Sequence, residues 1–388
     1  MRIVQFGLPF SPNLGDGVIA DCFAHGVRHA RPETEVTALD LSGRSGFGTA
    51  TVANRAVALA LLRRMPRPLR QVAVAARLRG VLARAAPRWA HALKGADLAV
   101  IGGGQLFSDA DLNFPLKVAR AADLAGAAGV PLAVYAAGVA ENWSARGTAL
   151  YGRLLAADLR GVGLRDAPSI DAWISQTGGR GPAPILQRDP GLLAASCYGP
   201  VAADARIGLC VAAPEILAYH AEGGRPAGAR FLSDLIAALL AAGHSLRLFT
   251  NGAEEDAAAL DRLAPTLADE VAAGRVEIAP RPARPSELAK IVGSCRAVVA
   301  HRLHACILAY AYGRPVVGMG WDRKVESFFA SVGEQDAFAP VGTAPQAVVA
   351  RLETALDRGI DPGARQRAED EAQAAIADLL ALAGRAGR

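Results

Sequence analysis

The sequence predicts an α/β protein of two Rossmann-like domains facing across a cleft. Three observations predict it. Short apolar runs alternate with longer helical stretches along the chain. The runs are continuously apolar, as in Asp97-Leu98-Ala99-Val100-Ile101 and Arg296-Ala297-Val298-Val299-Ala300, which marks parallel strands buried on both faces. The alternation breaks at Tyr198-Gly199-Pro200 and then restarts, so one chain of 388 residues carries two such series.

Taken in order, strands are expected near residues 2–7, 35–40, 97–101, 131–137, 161–165 and 184–187, within a first domain over 1–195. After a boundary at 194–204, strands are expected near 206–212, 245–250, 275–279, 296–300 and 315–319, within a second domain over 204–345. Residues 346–388 read as helices packing back on the body; Arg365–Leu382 is Ala/Leu-rich and amphipathic. No internal repeat of solenoid length is visible.

A composition of 52% hydrophobic and 20% charged residues excludes global disorder. No apolar run approaches the roughly 20 residues of a membrane span. Met1–Gly7 reads as a first strand and not as a secretory signal. The five cysteines form no CxxC pair, so neither a disulfide framework nor a structural zinc site is expected, and a reducing cytoplasm fits. Cys22, His25 and His29 share a helix face without a second-segment partner, so no metal is expected.

The net charge of +5 is unevenly distributed. Residues 44–94 hold eleven basic side chains and no acid, which leaves the rest of the chain at −6. Such an insertion points to an anionic surface or ligand and not to general nucleic-acid affinity. Pro66 and Pro68 are expected to split it into helices near 52–65 and 69–86. Arg63, Arg67, Arg70, Arg77, Arg84 and Arg88 recur near one helix face, with Leu69, Val72, Val74 and Leu78 elsewhere. Two readings stay open: a solvated face, or a helix pair lying on anionic lipid headgroups.

Ligands of parallel sheets gather beyond the carboxyl ends of the strands. After strand one comes Pro12-Asn13-Leu14-Gly15-Asp16-Gly17, where a capped turn and a ligand loop fit equally. Gly102-Gly103-Gly104-Gln105 is either a backbone nest for an anion or a flexible turn. Arg165, in Gly163-Leu164-Arg165-Asp166, can hold phosphate or carboxylate, or simply pair with Asp166. Most informative is Ala300-His301-Arg302-Leu303-His304-Ala305. A helix start, a guanidinium and imidazoles at one strand end suit a phosphorylated ligand. Lys324, beyond the next strand, is a candidate second cation for phosphate. No GxGxxG, P-loop, GxSxG or HExxH motif is present.

Several of these motifs stand in a telling order. Asn13-Leu14-Gly15-Asp16, Gly102-Gly103-Gly104, Leu164-Arg165-Asp166 with Ser169, Asp189-Pro190, Arg302-Leu303-His304-Ala305, Gly313–Gly318 and Asp322-Arg323-Lys324-Val325 together resemble the polysaccharide pyruvyl transferase family, from the first strand to about Gly333. The resemblance implies a GT-B-like fold. It also implies transfer of the pyruvyl group of phosphoenolpyruvate (PEP) to sugar hydroxyls as a cyclic ketal, in polysaccharide or glycoconjugate biosynthesis. The Arg302-Leu303-His304 element and the upstream Arg165 are the residues it places on the donor.

PEP carries a carboxylate and a phosphate, which Arg302, Arg165 and Lys324 can neutralise. His304 is the expected general acid/base, and Asp16 is expected to orient or deprotonate the acceptor. His301 stands where a small residue is expected, an extra polar group at the donor. Glu141 and Asn142 replace a Gly/Pro-rich loop and are expected to shape the acceptor side with Asn13, Gly15, Gly102, Gly103, Gly104 and Gln105. The expected partners are PEP as co-substrate and a saccharide acceptor, lipid-linked if the basic insertion docks at the cytoplasmic leaflet. No cofactor, metal or nucleic acid is expected. Two other functions share these features. A GT-B glycosyltransferase using a nucleotide sugar is disfavoured because Arg296–Trp321 contains no Asp or Glu. A catalytically silent anion- or sugar-binding protein on the same fold is disfavoured by His304 beside Arg302.

Overall fold

The apolar runs form two all-parallel, six-stranded sheets in the computed structural model, which describes residues 1–48, 65–214, 230–321 and 323–383. The first sheet holds β1 (Arg2–Gly7), β2 (Glu35–Asp40), β3 (Leu98–Gly102), β4 (Leu132–Ala137), β5 (Leu159–Leu164) and β6 (Pro184–Leu186), in the order β2-β1-β3-β4-β5-β6. Every residue of β3 and β4 is buried, as continuous apolar runs require. Helices α1 (Leu14–Ala30), α2 (Arg67–Leu93), α3 (Asn113–Ala127), α4 (Ala145–Leu155) and α5 (Ala167–Thr177) lie between the strands in sequence. Local chemistry sets their starts: Ser144 caps α4 by accepting the Gly147 N–H, and Asp166 caps α5 by accepting the Ser169 N–H.

The second sheet holds β7 (Ile207–Cys210), β8 (Leu246–Phe249), β9 (Val276–Ile278), β10 (Ala297–Ala300), β11 (Val316–Met319) and β12 (Phe338–Ala339). Its order, β9-β8-β7-β10-β11-β12, is the doubly wound Rossmann order. Its helices are α6 (Ala194–Tyr198), α7 (Phe231–Ala241), α8 (Glu254–Leu263), α9 (Ala268–Ala272), α10 (Pro285–Gly293), α11 (Leu303–Ala311), α12 (Arg323–Ser331) and α13 (Pro345–Arg358), followed by α14 (Pro362–Ala381). Ile207, Leu209, Leu246, Leu248, Val299 and Val317 form its core with Leu235 and Leu239 of α7 and Val348 and Leu352 of α13.

By contacts the chain divides into one unit of Met1–Ser11, Ile19–Pro190 and Glu371–Arg388 and another of Pro12–Val18 and Gly191–Asp370. The end of α14 returns to the first unit, where Arg188 pairs with Glu371 at 2.7 Å and Gln373 donates to the Gly26 carbonyl at 2.9 Å. In each sheet the strand order reverses at one place, between β1 and β3 and between β7 and β10, and ligands of such folds bind beyond these points.

The basic insertion differs from expectation. The helix expected near 52–65 lies outside the described residues. The second helix is longer than expected, a single span of 27 residues that continues through Pro87 to Leu93. Pro68 sits in its first turn, where a missing N–H costs nothing. Leu78, Leu82, Ala85, Trp89 and Leu93 recur every three or four residues and are buried, which locks the helix to the core across Pro87. Among the described residues, no helix is long and apolar enough to cross a membrane.

Candidate active site

In the second unit the Arg-Leu-His element sits at the switch point, where β10 runs into α11. Arg302 is the residue before α11, and its side chain turns onto Asp256 in the first turn of α8. The pair is bidentate. Arg302 Nε donates to Asp256 Oδ2 at 3.0 Å, and Nη2 lies 2.6 Å from each carboxylate oxygen. Asp256 is fully buried and also accepts the Ala213 N–H at 2.8 Å, just beyond β7. The carboxylate thus ties together the ends of β7, β8 and β10 and fixes the plane of the guanidinium. It binds the Nε–Nη2 edge and leaves the Nη1 edge pointing elsewhere, so a second anion can still be met.

His304 is the second residue of α11 and is buried. The loop before α1 packs directly on it. A Cβ on Gly15 would lie 2.6 Å from the Cβ, Cγ and Nδ1 atoms of His304, so only glycine fits there. Asn251, after β8, clamps the same loop: its carbonyl accepts the Leu14 N–H at 2.9 Å and its amide reaches Asn13 Oδ1 at 3.4 Å. Asn13, Gly15, Asp16, Arg302, Leu303 and His304 therefore belong to one unit, with Asp16 half-buried one residue past Gly15.

Trp321 lies against two cations of this unit. Its ring centre lies 5.9 Å from Arg302 Cζ and 5.2 Å from Lys324 Nζ, and its Nε1 donates to the His301 carbonyl at 2.6 Å. The His301 ring meets Phe231 edge-on. Burial, and then the neighbouring Arg302 charge, lower the His301 pKa to about 4. At neutral pH that imidazole is uncharged and has no imidazolium proton to give.

In the first unit the candidates form a second group. Arg165 donates from Nη2 to Gln105 Oε1 and from Nε to Asp166 Oδ2 at 3.2 Å, and its side chain is only 7% exposed. Gly138 passes against this guanidinium, where a Cβ would lie 2.6 Å from Nη2. The glycine run has a packing reason of its own. A Cβ on Gly102 would meet the Tyr135 carbonyl oxygen, and one on Gly103, at φ +75°, would meet Ile19. The Gly103 N–H is donated to the Tyr135 carbonyl at 3.0 Å, so this donor is spent inside the fold. Asn142 is a bracket: it accepts the Asp109 N–H at 2.9 Å and donates to Ser108 at 3.1 Å, while Glu141 is exposed.

The sequence model of polysaccharide pyruvyl transferases matches residues 13–323, a span that runs from Asn13 through Arg302 and His304 to the start of α12. The chain belongs to the polysaccharide pyruvyl transferase family. Membership in this family supports a transferase acting in polysaccharide modification. No curated protein matches the sequence. Solved structures share the fold at very low identity. The UDP-GlcNAc 2-epimerase of Methanocaldococcus jannaschii is 9% identical with a TM-score of 0.58, covering 98% of this chain and 99% of that one. A putative UDP-N-acetylglucosamine 2-epimerase of Listeria monocytogenes is 10% identical with a TM-score of 0.57, covering 98% and 95%. MnaA of S. aureus, solved with UDP, is 10% identical with a TM-score of 0.55, covering 98% and 94%. These likenesses establish the GT-B-like fold of this family member.

Sequence patterns overlooked three residues of the site: Asp256, Asn251 and Trp321. Asp256 follows Glu254 and Glu255, and three acids opening a helix read as ordinary dipole complement. A carboxylate therefore does stand beside the Arg-Leu-His element, although none occurs in 296–321. It is fully buried and spent on Arg302 and Ala213, so it is not offered to a ribose.

Proposed function

We propose that this family member transfers the pyruvyl group of PEP to two hydroxyls of one saccharide, giving a cyclic ketal and inorganic phosphate in the cytoplasm. The observation that carries this is the pairing of a guanidinium fixed by Asp256 with His304 in the adjoining first turn of α11. Arg302 binds the phosphate or carboxylate of PEP through its outer edge, and Lys324 adds a second positive charge. His304 delivers a proton to the methylene carbon, which becomes a methyl group and leaves the adjacent carbon electrophilic. One sugar hydroxyl adds to that carbon. The second then displaces phosphate as the C–O bond to phosphorus-bearing oxygen breaks. The two hydroxyl protons balance the one gained by carbon and the one carried off by phosphate. Asp16 orients or deprotonates the acceptor, and the neutral His301 leaves the proton transfer to His304. PEP and the acceptor are substrates, and these steps use side chains alone.

PEP binding tests the donor half without a known acceptor. PEP should raise the thermal midpoint of the protein in a dose-dependent way, since a ligand of the folded state stabilises by mass action. Arg302→Ala should abolish the shift and Arg302→Lys should restore part of it, because lysine lacks the planar fork. An unchanged shift in Arg302→Ala would remove Arg302 from the donor site.

A further inference from the structure

We infer that the solvent face of α2 is a docking surface for an anionic lipid bilayer. The helix has two apolar stripes. The inner one, through Leu78, Leu82, Ala85 and Trp89, is covered by the first unit's core. The outer one runs through Leu69, Val72, Ala76, Gly80, Ala83 and Pro87, which recur every three or four residues and are all exposed. Leu69 and Val72 are 57% and 60% exposed, among the most exposed large apolar side chains described. Exposed arginines flank this stripe, Arg77 and Arg84 on one side and Arg79 on the other.

A helix face that meets only water normally carries carboxylates to pair with its cations. This helix contains no Asp or Glu over its 27 residues. Not all of its arginines serve the surface. Arg70 pairs with Asp111 at 2.7 Å, and Arg88 donates to the Arg44 carbonyl at 2.8 Å, so both are spent on holding the helix in place. Arg77, Arg79 and Arg84 are left around the apolar stripe. Small residues at its centre let a flat surface come close, Leu69 and Val72 enter the acyl boundary, and the arginines reach the headgroup phosphates while their stems cover apolar area. A nucleic acid would satisfy the arginines through its phosphates but give Leu69 and Val72 nothing to enter.

Co-sedimentation of the full chain with vesicles tests this. Vesicles rich in phosphatidylserine should retain the protein at low salt and release it at high salt, and phosphatidylcholine vesicles should not retain it. Replacing Arg77, Arg79 and Arg84 together by Gln should weaken partitioning roughly 100-fold, from about 1 kcal/mol for each basic residue at such a surface. Leu69→Ser with Val72→Ser should weaken it with the charges intact, and Arg70→Gln should weaken it less than the triple change. Leu69, Val72, Arg77, Arg79 and Arg84 are exposed, and an unchanged thermal midpoint confirms folding of their variants. Equal retention on both vesicle types, or full retention by the triple Gln variant, would overturn the inference. So would binding to duplex DNA, or a concentration-dependent dimer, in place of vesicle retention.

Discussion

Arg302 is held by a carboxylate that lies 46 positions earlier in the chain, and this pairing governs what its guanidinium can do. Asp256→Asn should keep one hydrogen bond but lose the charge that fixes the plane, so the KM for PEP should rise while the kcat changes less. Equal KM values in steady-state kinetics would make Asp256 a structural residue only. His304→Gln should lower kcat by roughly 10²–10⁴-fold, the range for losing a general acid/base. Gly15→Ala should also lower kcat, by up to about 10²-fold, because a Cβ 2.6 Å from the ring atoms displaces the His304 imidazole. His301→Gln should leave turnover largely intact but change the acid stability. The buried His301 prefers to be neutral, with a pKa of about 4 against 6.5 when unfolded. Its contribution is therefore full above pH 6.5 and is lost as the pH falls toward 4, by about 3 kcal/mol. Urea unfolding of wild type and His301→Gln should diverge over that window, and parallel curves would contradict it. The Arg-Leu-His pattern is legible in the sequence because it is local. Asp256 is not, since the tie is made by folding and its neighbours Glu254 and Glu255 disguise it as a helix start.

At the scale of elements, strands are legible and the reasons for loops are not. The run Leu98–Gly102 announces a buried strand by itself. Whether the glycines that end it form an anion nest or a close packing depends on Tyr135 and Ile19, which other elements bring there. The prolines of the basic insertion suggest two short helices. Pro87 does not end α2 because the inner stripe continues past it to Trp89 and Leu93, both fully buried. Trp89 packs edge-on against Phe6 at 5.3 Å and anchors the helix to β1. Trp89→Ala should cost about 3–5 kcal/mol in urea unfolding, against within about 0.5 kcal/mol for Val72→Ser on the outer stripe. Similar small effects for both would mean that α2 is not held by its inner face.

For the whole molecule, two parallel sheets follow from two series of apolar runs, and among the described strands the two-residue β12 is too short to stand out. The grouping of Pro12–Val18 with the second unit cannot be read from order along the chain, because contacts with Asn251 and His304 decide it. Those contacts join the Asn13-Leu14-Gly15-Asp16 and Arg302-Leu303-His304 motifs in a single unit, which is the structural basis for assigning them one reaction. Incubation with PEP and a panel of free, nucleotide-linked and lipid-linked hexoses, with phosphate release and product mass followed together, tests that reaction most directly. Pyruvyl transfer predicts acceptor-dependent phosphate release in step with a product heavier than the acceptor by one pyruvic acid less one water, both lost in His304→Gln. Turnover of a nucleotide sugar without consumption of PEP would contradict it.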